Sequence, residues 1–148
     1  MDNSSRVLAV DPGQKRIGVA VSDPTGTIAN PLEVIEHQTR ELDAQKIIEI
    51  ANEYQAVKII IGQALDWDGS VSYQGRKSKR LAGRIREKIA IPVILWNEYG
   101  STKTAHEARL AMGLSRKNRA KDIDHLAATL ILQSYLDAQE TGGINADE

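Results

Sequence analysis

The 148-residue chain contains no cysteine. That excludes a disulfide framework, a thiolate metal site and a cysteine nucleophile, and it makes a cytosolic protein the economical expectation. Long apolar runs are missing too. Nothing approaches the ~20 consecutive residues that a bilayer-crossing helix needs, so no membrane partner is expected. The opening Met1 Asp2 Asn3 Ser4 Ser5 Arg6 has none of the apolar character of a signal peptide. Charge of one sign is absent as well: 19 Lys and Arg stand against 20 Asp and Glu, for a net −1. What remains is 41% hydrophobic and 26% charged, an ordinary globular composition, and the length suits one domain with a sizeable core.

The near-neutral sum hides a segregated pattern. Arg76 to Lys88 holds seven cations and one acid, and Arg116 to Lys121 holds four cations and no acid. Leu32 to Gln55 carries six acids and two cations, and the tail from Asp137 carries four acids. Basic stripes on an otherwise acidic chain suit a surface that tracks phosphates, although a charge run can equally be a solvated helix face. In the first stripe Arg76, Arg80 and Arg84 recur at four-residue spacing and are expected to share one solvated face, with Lys77 beside it.

Apolar alternation and turn residues predict strands at about Arg6 to Asp11, Arg16 to Ser22 and Thr27 to Ile35, joined by turns containing Pro12 with Gly13 and Pro24 with Gly26. Leu42 to Ala51 has helical spacing, and the β-branched run Val57 to Ile61 reads as a buried strand. A loop over Gln63 to Ser70, a basic helix Val71 to Ile89 and a fifth strand Ile91 to Trp96 follow. Thr104 with Glu107 suits a helix start, and a basic loop Gly113 to Lys121 precedes a last helix, Asp122 to Asp137. The order βββαβαβαα predicts one α/β domain over residues 1–148: three antiparallel strands, then alternating helices and strands in a five-stranded mixed sheet flanked by helices. Loose ends are expected at 1–5 and 141–148.

Three acids stand where such a sheet presents ligands. Asp11 ends the apolar strand Val7 Leu8 Ala9 Val10, and Pro12 and Gly13 turn the chain away at once, leaving Lys15 and Arg16 beside the carboxylate. Glu98 follows the apolar strand Pro92 to Trp96, again at a carboxyl end. Asp124 falls in the first turn of the last helix on the face of Ala127, Ala128, Ile131 and Tyr135, while Asp122 points away and is the better cap. Asp11 has an ordinary reading as a turn residue and Asp124 as a helix-capping one. His106 and His125 read as helix-surface residues.

The motifs VDPGQKRIGVAVS (Val10 to Ser22), IIIGQALDWDG (Ile59 to Gly69), WNEYGST (Trp96 to Thr102) and GLSRKNRAKDIDHLAATLILQ (Gly113 to Gln133) together resemble the YqgF family, also called RuvX. The resemblance implies an RNase H-like fold related to the junction resolvase RuvC. It implies that Asp11, Glu98 and Asp124 form an acidic catalytic triad that holds Mg²⁺ or Mn²⁺, two ions in a two-metal hydrolysis of phosphodiesters. Lys15, Arg16, Arg76, Lys77, Arg80, Arg84, Arg116, Lys117 and Arg119 would hold the nucleic-acid backbone, giving salt-sensitive and largely sequence-independent affinity. The implied substrate is the 5′ end of pre-16S rRNA or a branched DNA junction, and a homodimer is a further expectation.

The chain also departs from the family pattern. Asn97 and Tyr99 flank Glu98 where many members carry an aspartate and an arginine, and Gly62 Gln63 Ala64 replaces Gly-Leu-Pro. Strand four has no acid of the RuvC kind, and Asp66 and Asp68 read as turn residues. The changes at Asn97 and Tyr99 speak for a second class, a non-catalytic RNA or ribosome-assembly binding protein on a nuclease scaffold; Asp11 Pro12 Gly13 before a hairpin also resembles the first phosphate motif of the actin and sugar-kinase type, which needs two such domains.

Overall fold

The structure, a computed structural model, describes residues 4–66, 68–97 and 119–140, the side chains of the last stretch from residue 126 onward. Its elements are β1 (Val7–Pro12), β2 (Arg16–Ser22), β3 (Ala29–Glu36), α1 (Arg40–Glu53), β4 (Lys58–Gln63), α2 (Tyr73–Arg86), β5 (Val93–Asn97) and α3 (Arg119–Glu140). The predicted order holds throughout the described residues. The helix expected from Thr104, with His106, lies outside them, as do Met1 to Asn3 and Thr141 to Glu148. Ser5, expected in a loose end, instead donates its amide to the Pro24 carbonyl at 2.8 Å.

β1 pairs antiparallel with β2, and β2 with β3. β1 with β4 and β4 with β5 are parallel, giving the sheet order β3-β2-β1-β4-β5. The placement follows from composition. Ile59, Ile60 and Ile61 are fully buried and fill both faces of a central strand, whereas β3, half-exposed and containing Pro31, takes an edge.

Alternation along the strands divides the core in two. Leu8, Val10, Ile59 and Ile61 face α1 and α2, packing against Ile47, Leu81, Ala82 and Ile85. Val7, Ala9, Ala20, Ile60 and Ile94 face α3, packing against Ala128, Ile131, Leu132 and Tyr135. Ala9, Ala20 and Ala128 let α3 lie close to the sheet. Its C-terminal half is tied to the strand starts. Gln133 accepts from the Ala29 amide at 2.9 Å and donates to the Thr27 carbonyl at 3.1 Å, and Lys58 Nζ donates to the Tyr135 hydroxyl at 2.6 Å.

The turn from β2 to β3 is organised by Asp23, whose carboxylate accepts from the amides of Ile28 (2.9 Å), Thr27 (2.8 Å) and Thr25 (3.3 Å) and from the Thr25 hydroxyl. The Ile28 amide first, then the Thr25 hydroxyl and the Thr27 amide, hold this carboxyl well below its usual 3.8. A carboxylate lowered on folding stabilises the fold fully above its unfolded value, and that stability is lost as pH falls below it. Asp23→Ala should therefore lower the melting temperature at pH 7. In thermal melts the difference from the parent protein should shrink below about pH 4; a difference independent of pH would contradict the assignment.

Candidate active site

Asp11 is the penultimate residue of β1 and half-buried. Val7, Ala9 and Asp11 alternate onto one face, so Asp11 is placed on the α3 side of the sheet. Its antiparallel partner is Gly18. On the parallel side Val10 is level with Ile61, so the next position level with Asp11 is Gly62. The acid thus stands between two positions without side chains, an open floor at the carboxyl ends of the central strands.

The chain then turns tightly. The Gly13 amide donates to the Arg16 carbonyl at 2.9 Å, and a Cβ on Gly13 would lie 2.5 Å from that oxygen, so only glycine fits. Lys15 is exposed and Arg16 half-buried, both within one tight turn of Asp11.

The other two predicted acids are only partly located. Glu98, with Tyr99, lies outside the described residues. Ahead of it, Trp96 packs on the α3 face edge-on to Tyr135, with ring centroids 5.1 Å apart, and Asn97 ends β5 exposed and paired with Gln63. Asp124 falls within α3, three and four residues before the buried Ala127 and Ala128; its side chain, with those of Arg119, Lys121, Asp122 and His125, is not among those described. The helix corrects three expectations. It already includes Arg119, so the basic loop does not extend to Lys121. Asp122 is then the fourth helical residue and cannot be the N-cap, and Asp124 is beyond the first turn. Arg116 and Lys117 lie outside the described residues. Among the described residues no three His, Asp or Glu side chains form a metal-holding group.

The basic helix α2 packs against the opposite face of the sheet from Asp11, burying Gly75, Ser78, Leu81, Ala82 and Ile85. Its first turn nevertheless reaches the same rim, because Gln74 Nε2 donates to the Pro12 carbonyl at 3.2 Å. Arg76, Lys79 and Arg80 are exposed there and Lys77 is half-buried. Arg84 departs from the expected solvated stripe. Its Nε is 2.8 Å from Glu41 of α1, and Nη1 donates to Glu87 at 3.2 Å. That side chain is occupied in helix packing, for its length lets it span the α1–α2 gap. Arg86 is likewise committed, donating to the Val93 carbonyl at 2.6 and 3.0 Å.

Sequence reasoning missed Tyr73. The ring is 60% exposed, with Lys77 Nζ 5.0 Å and the Arg76 guanidinium 5.8 Å from its centroid. An exposed aromatic among cations offers stacking to an unpaired base, and the signal was the aromatic opening the run Tyr73 Gln74 Gly75 Arg76 Lys77. Asp68 is a turn residue as read, accepting from the Ser70 amide at 3.0 Å and hydroxyl at 2.7 Å, and these bonds lower its pKa, the hydroxyl contributing more. No helix among the described residues is long and apolar enough to cross a membrane.

A profile of the RuvX family, described as Holliday junction resolvase, matches residues 5–138. The chain belongs to the RuvX family. A Desulforamulus reducens relative named for pre-16S rRNA nuclease activity is 40% identical over 133 residues, covering 90% of this chain and 97% of its own. A Thermoanaerobacter pseudethanolicus protein of the same name is 40% identical over 136 residues, with 91% and 98% covered. Among solved structures, Thermus thermophilus RuvC with a Holliday junction substrate superposes with a TM-score of 0.59 at 16% identity, covering 93% of this chain and 96% of RuvC. The fowlpox virus resolvase with junction DNA gives 0.54 at 15% identity, with 90% and 98% covered. The fold is the RNase H-like one, as expected. RuvX membership makes this chain a nuclease, a hydrolase acting on nucleic acid, and the non-catalytic alternative is not favoured.

Proposed function

We propose that this RuvX nuclease hydrolyses phosphodiester bonds in structured nucleic acid in the cytosol, with the 5′ end of pre-16S rRNA as its first substrate and branched DNA as the second reading. The observation that carries the proposal is Asp11, held at the end of a buried strand between Gly18 and Gly62 on the α3 face. The relatives' names support the rRNA substrate, and the family description supports the junction.

Asp124 and Glu98 complete the proposed triad. α3 is anchored near the start of β4 through Tyr135. A helix rises ~1.5 Å per residue, so Asp124 is about 16 Å along it from Tyr135, comparable with the ~13 Å from Val7 to Asp11 along β1. Glu98 follows Trp96 by two residues, the spacing that shares a strand face. We expect the three carboxylates to converge within about 4 to 8 Å, the span of a shared metal site. Their all-oxygen donor set fits Mg²⁺ or Mn²⁺, two ions in the proposal. Bound there, such ions supply an activated water and charge stabilisation at the leaving oxygen. The residues of the chain position the strand: Lys15 and Arg16 hold the phosphate beside Asp11, while Tyr73 stacks an unpaired base and Arg76, Lys77 and Arg80 carry the backbone onward over the rim.

The deciding assay compares cleavage of a precursor rRNA end and a four-way junction, with Mg²⁺, Mn²⁺ or chelator. Metal-dependent cleavage of the rRNA end, abolished by chelator, is expected; cleavage that survives chelation, or none of either substrate, would overturn the proposal.

The basic rim is tested by salt. Arg76→Gln with Arg80→Gln should flatten the slope of log affinity against log salt by about 1.4 on single strands and about 1.8 on duplex, at ~0.7 and ~0.9 per lost phosphate contact. Adding Arg84→Gln should leave the slope where the double variant put it, because Glu41 and Glu87 already hold that guanidinium. An unchanged slope in the double variant would move the contact to Lys15, Arg16 and the Arg116 to Arg119 segment.

A further inference from the structure

On the face of the sheet away from Asp11, the β1–β2 turn, the start of α1 and the first turns of α2 line an open cavity of about 210 Å³. Its charges are unevenly matched. Both Asp43 carboxylate oxygens are engaged, one accepting from the Gln38 amide at 3.0 Å and the other meeting His37 Nδ1 at 2.5 Å. The neighbouring acid Glu41 is ion-paired with Arg84 and Lys88. Arg40 and Lys77 line the cavity with no carboxylate partner among the described residues. Gln74 adds a second unmet demand: its Nε2 is bonded to the Pro12 carbonyl, but its buried Oε1 has no hydrogen-bond partner among the described residues. A buried acceptor left alone is costly and calls for a donor. Ile17 and Leu81 supply an apolar wall.

A ligand that answers the charge and the apolar wall carries a doubly charged anion for Arg40 and Lys77 and a body that packs on aliphatic side chains. The volume falls below the ~300 to 1,000 Å³ of drug-sized sites, so it seats a single small unit. We propose that this cavity binds a nucleotide 5′-phosphomonoester, supplied either as free mononucleotide or as the 5′-phosphorylated terminus of a strand. Pro12 and Gly13 line the cavity and directly follow Asp11, so an occupant abuts the end of the strand that carries the acid. The inference shares Lys77 with the proposed backbone track, and its test is separable from the nuclease proposal, since binding is read without cleavage.

The test uses the whole chain in chelator, titrated calorimetrically with inorganic phosphate, 5′-AMP and adenosine, and with a short single-stranded RNA bearing either a 5′-phosphate or a 5′-hydroxyl. 5′-AMP should bind saturably and at least about tenfold more tightly than adenosine, with phosphate competing, as charge-assisted contacts to two cations require. Arg40→Gln, at an exposed position that leaves folding intact by thermal melt, should weaken 5′-AMP by about tenfold, and Arg40→Lys should restore most of it. A 5′-phosphate preference of the RNA that disappears in Arg40→Gln identifies the strand terminus as the source; 5′-AMP binding without that preference identifies the free nucleotide. Equal binding of 5′-AMP and adenosine, no binding of either, or a folded Arg40→Gln protein with unchanged affinity would overturn the site.

Discussion

Asp11→Asn should reduce cleavage by on the order of a thousandfold or more, equivalent to at least about 4 kcal/mol of transition-state stabilisation. The substitution preserves shape and removes only the charge. Asp11 is half-buried at a strand end, opposite Gly18 and level with Gly62, so no packing is disturbed. An amide is a poor ligand for a hard divalent cation, and the metal chemistry of the proposal needs the carboxylate. Nucleic-acid affinity in chelator should be retained or increased, since one negative charge is removed from a surface that meets phosphates. Circular dichroism, binding titration and single-turnover cleavage on one rigorously purified preparation separate these effects. Full metal-dependent activity in the variant would place the chemistry elsewhere.

Gly75→Ala should destabilise the domain by about 2 to 4 kcal/mol, the range expected for overpacking against fixed atoms. A Cβ at Gly75 would lie 2.3 Å from the Ala64 carbonyl oxygen and 2.9 Å from Val71 Cγ1. The oxygen cannot withdraw cheaply, because it accepts from both the amide (3.1 Å) and the hydroxyl (3.0 Å) of Ser72, the residue that caps α2. For a chain of this size the melting temperature should fall by roughly 10 °C. At Gly83, in the same helix, a Cβ would meet nothing within 4 Å, so Gly83→Ala should instead gain up to about 1 kcal/mol from helix propensity. A Gly75→Ala protein that melts within about two or three degrees of the parent would show that α2 does not approach the β4–α2 loop so closely.

The strand order and the burial of β4 were legible because an apolar run such as Ile59 Ile60 Ile61 has few other places to go, and because Pro12 with Gly13 mark a turn by their backbone chemistry. Asp11 was legible for the same reason: a strand followed at once by a turn leaves the last side chain at the rim. The helix boundaries were less so. α3 begins before Asp122 because Arg119, Ala120 and Lys121 are good helix formers, and the charge pattern that suggested a loop carries no backbone information. The fate of Arg84 could not be read from α2 alone. Four-residue spacing groups it with Arg76 and Arg80, but Glu41, 43 positions earlier in the chain, decides its contact, and only the packing of α1 on α2 brings the two together.

The sheet separates Asp11 from the basic helix. Asp11 lies on the α3 face and the basic helix on the other, and at the rim Gln74 meets Pro12. A backbone held at both must change direction within about the thickness of one sheet and its side chains, on the order of 10 Å. Duplex DNA is stiff over ~150 base pairs and resists such curvature strongly. A frayed end, a single-stranded flank or a branch point bends there at little cost. Under the proposed contacts, the layering of the fold would discriminate by flexural stiffness, favouring substrates with a break in their helical continuity before any base is read.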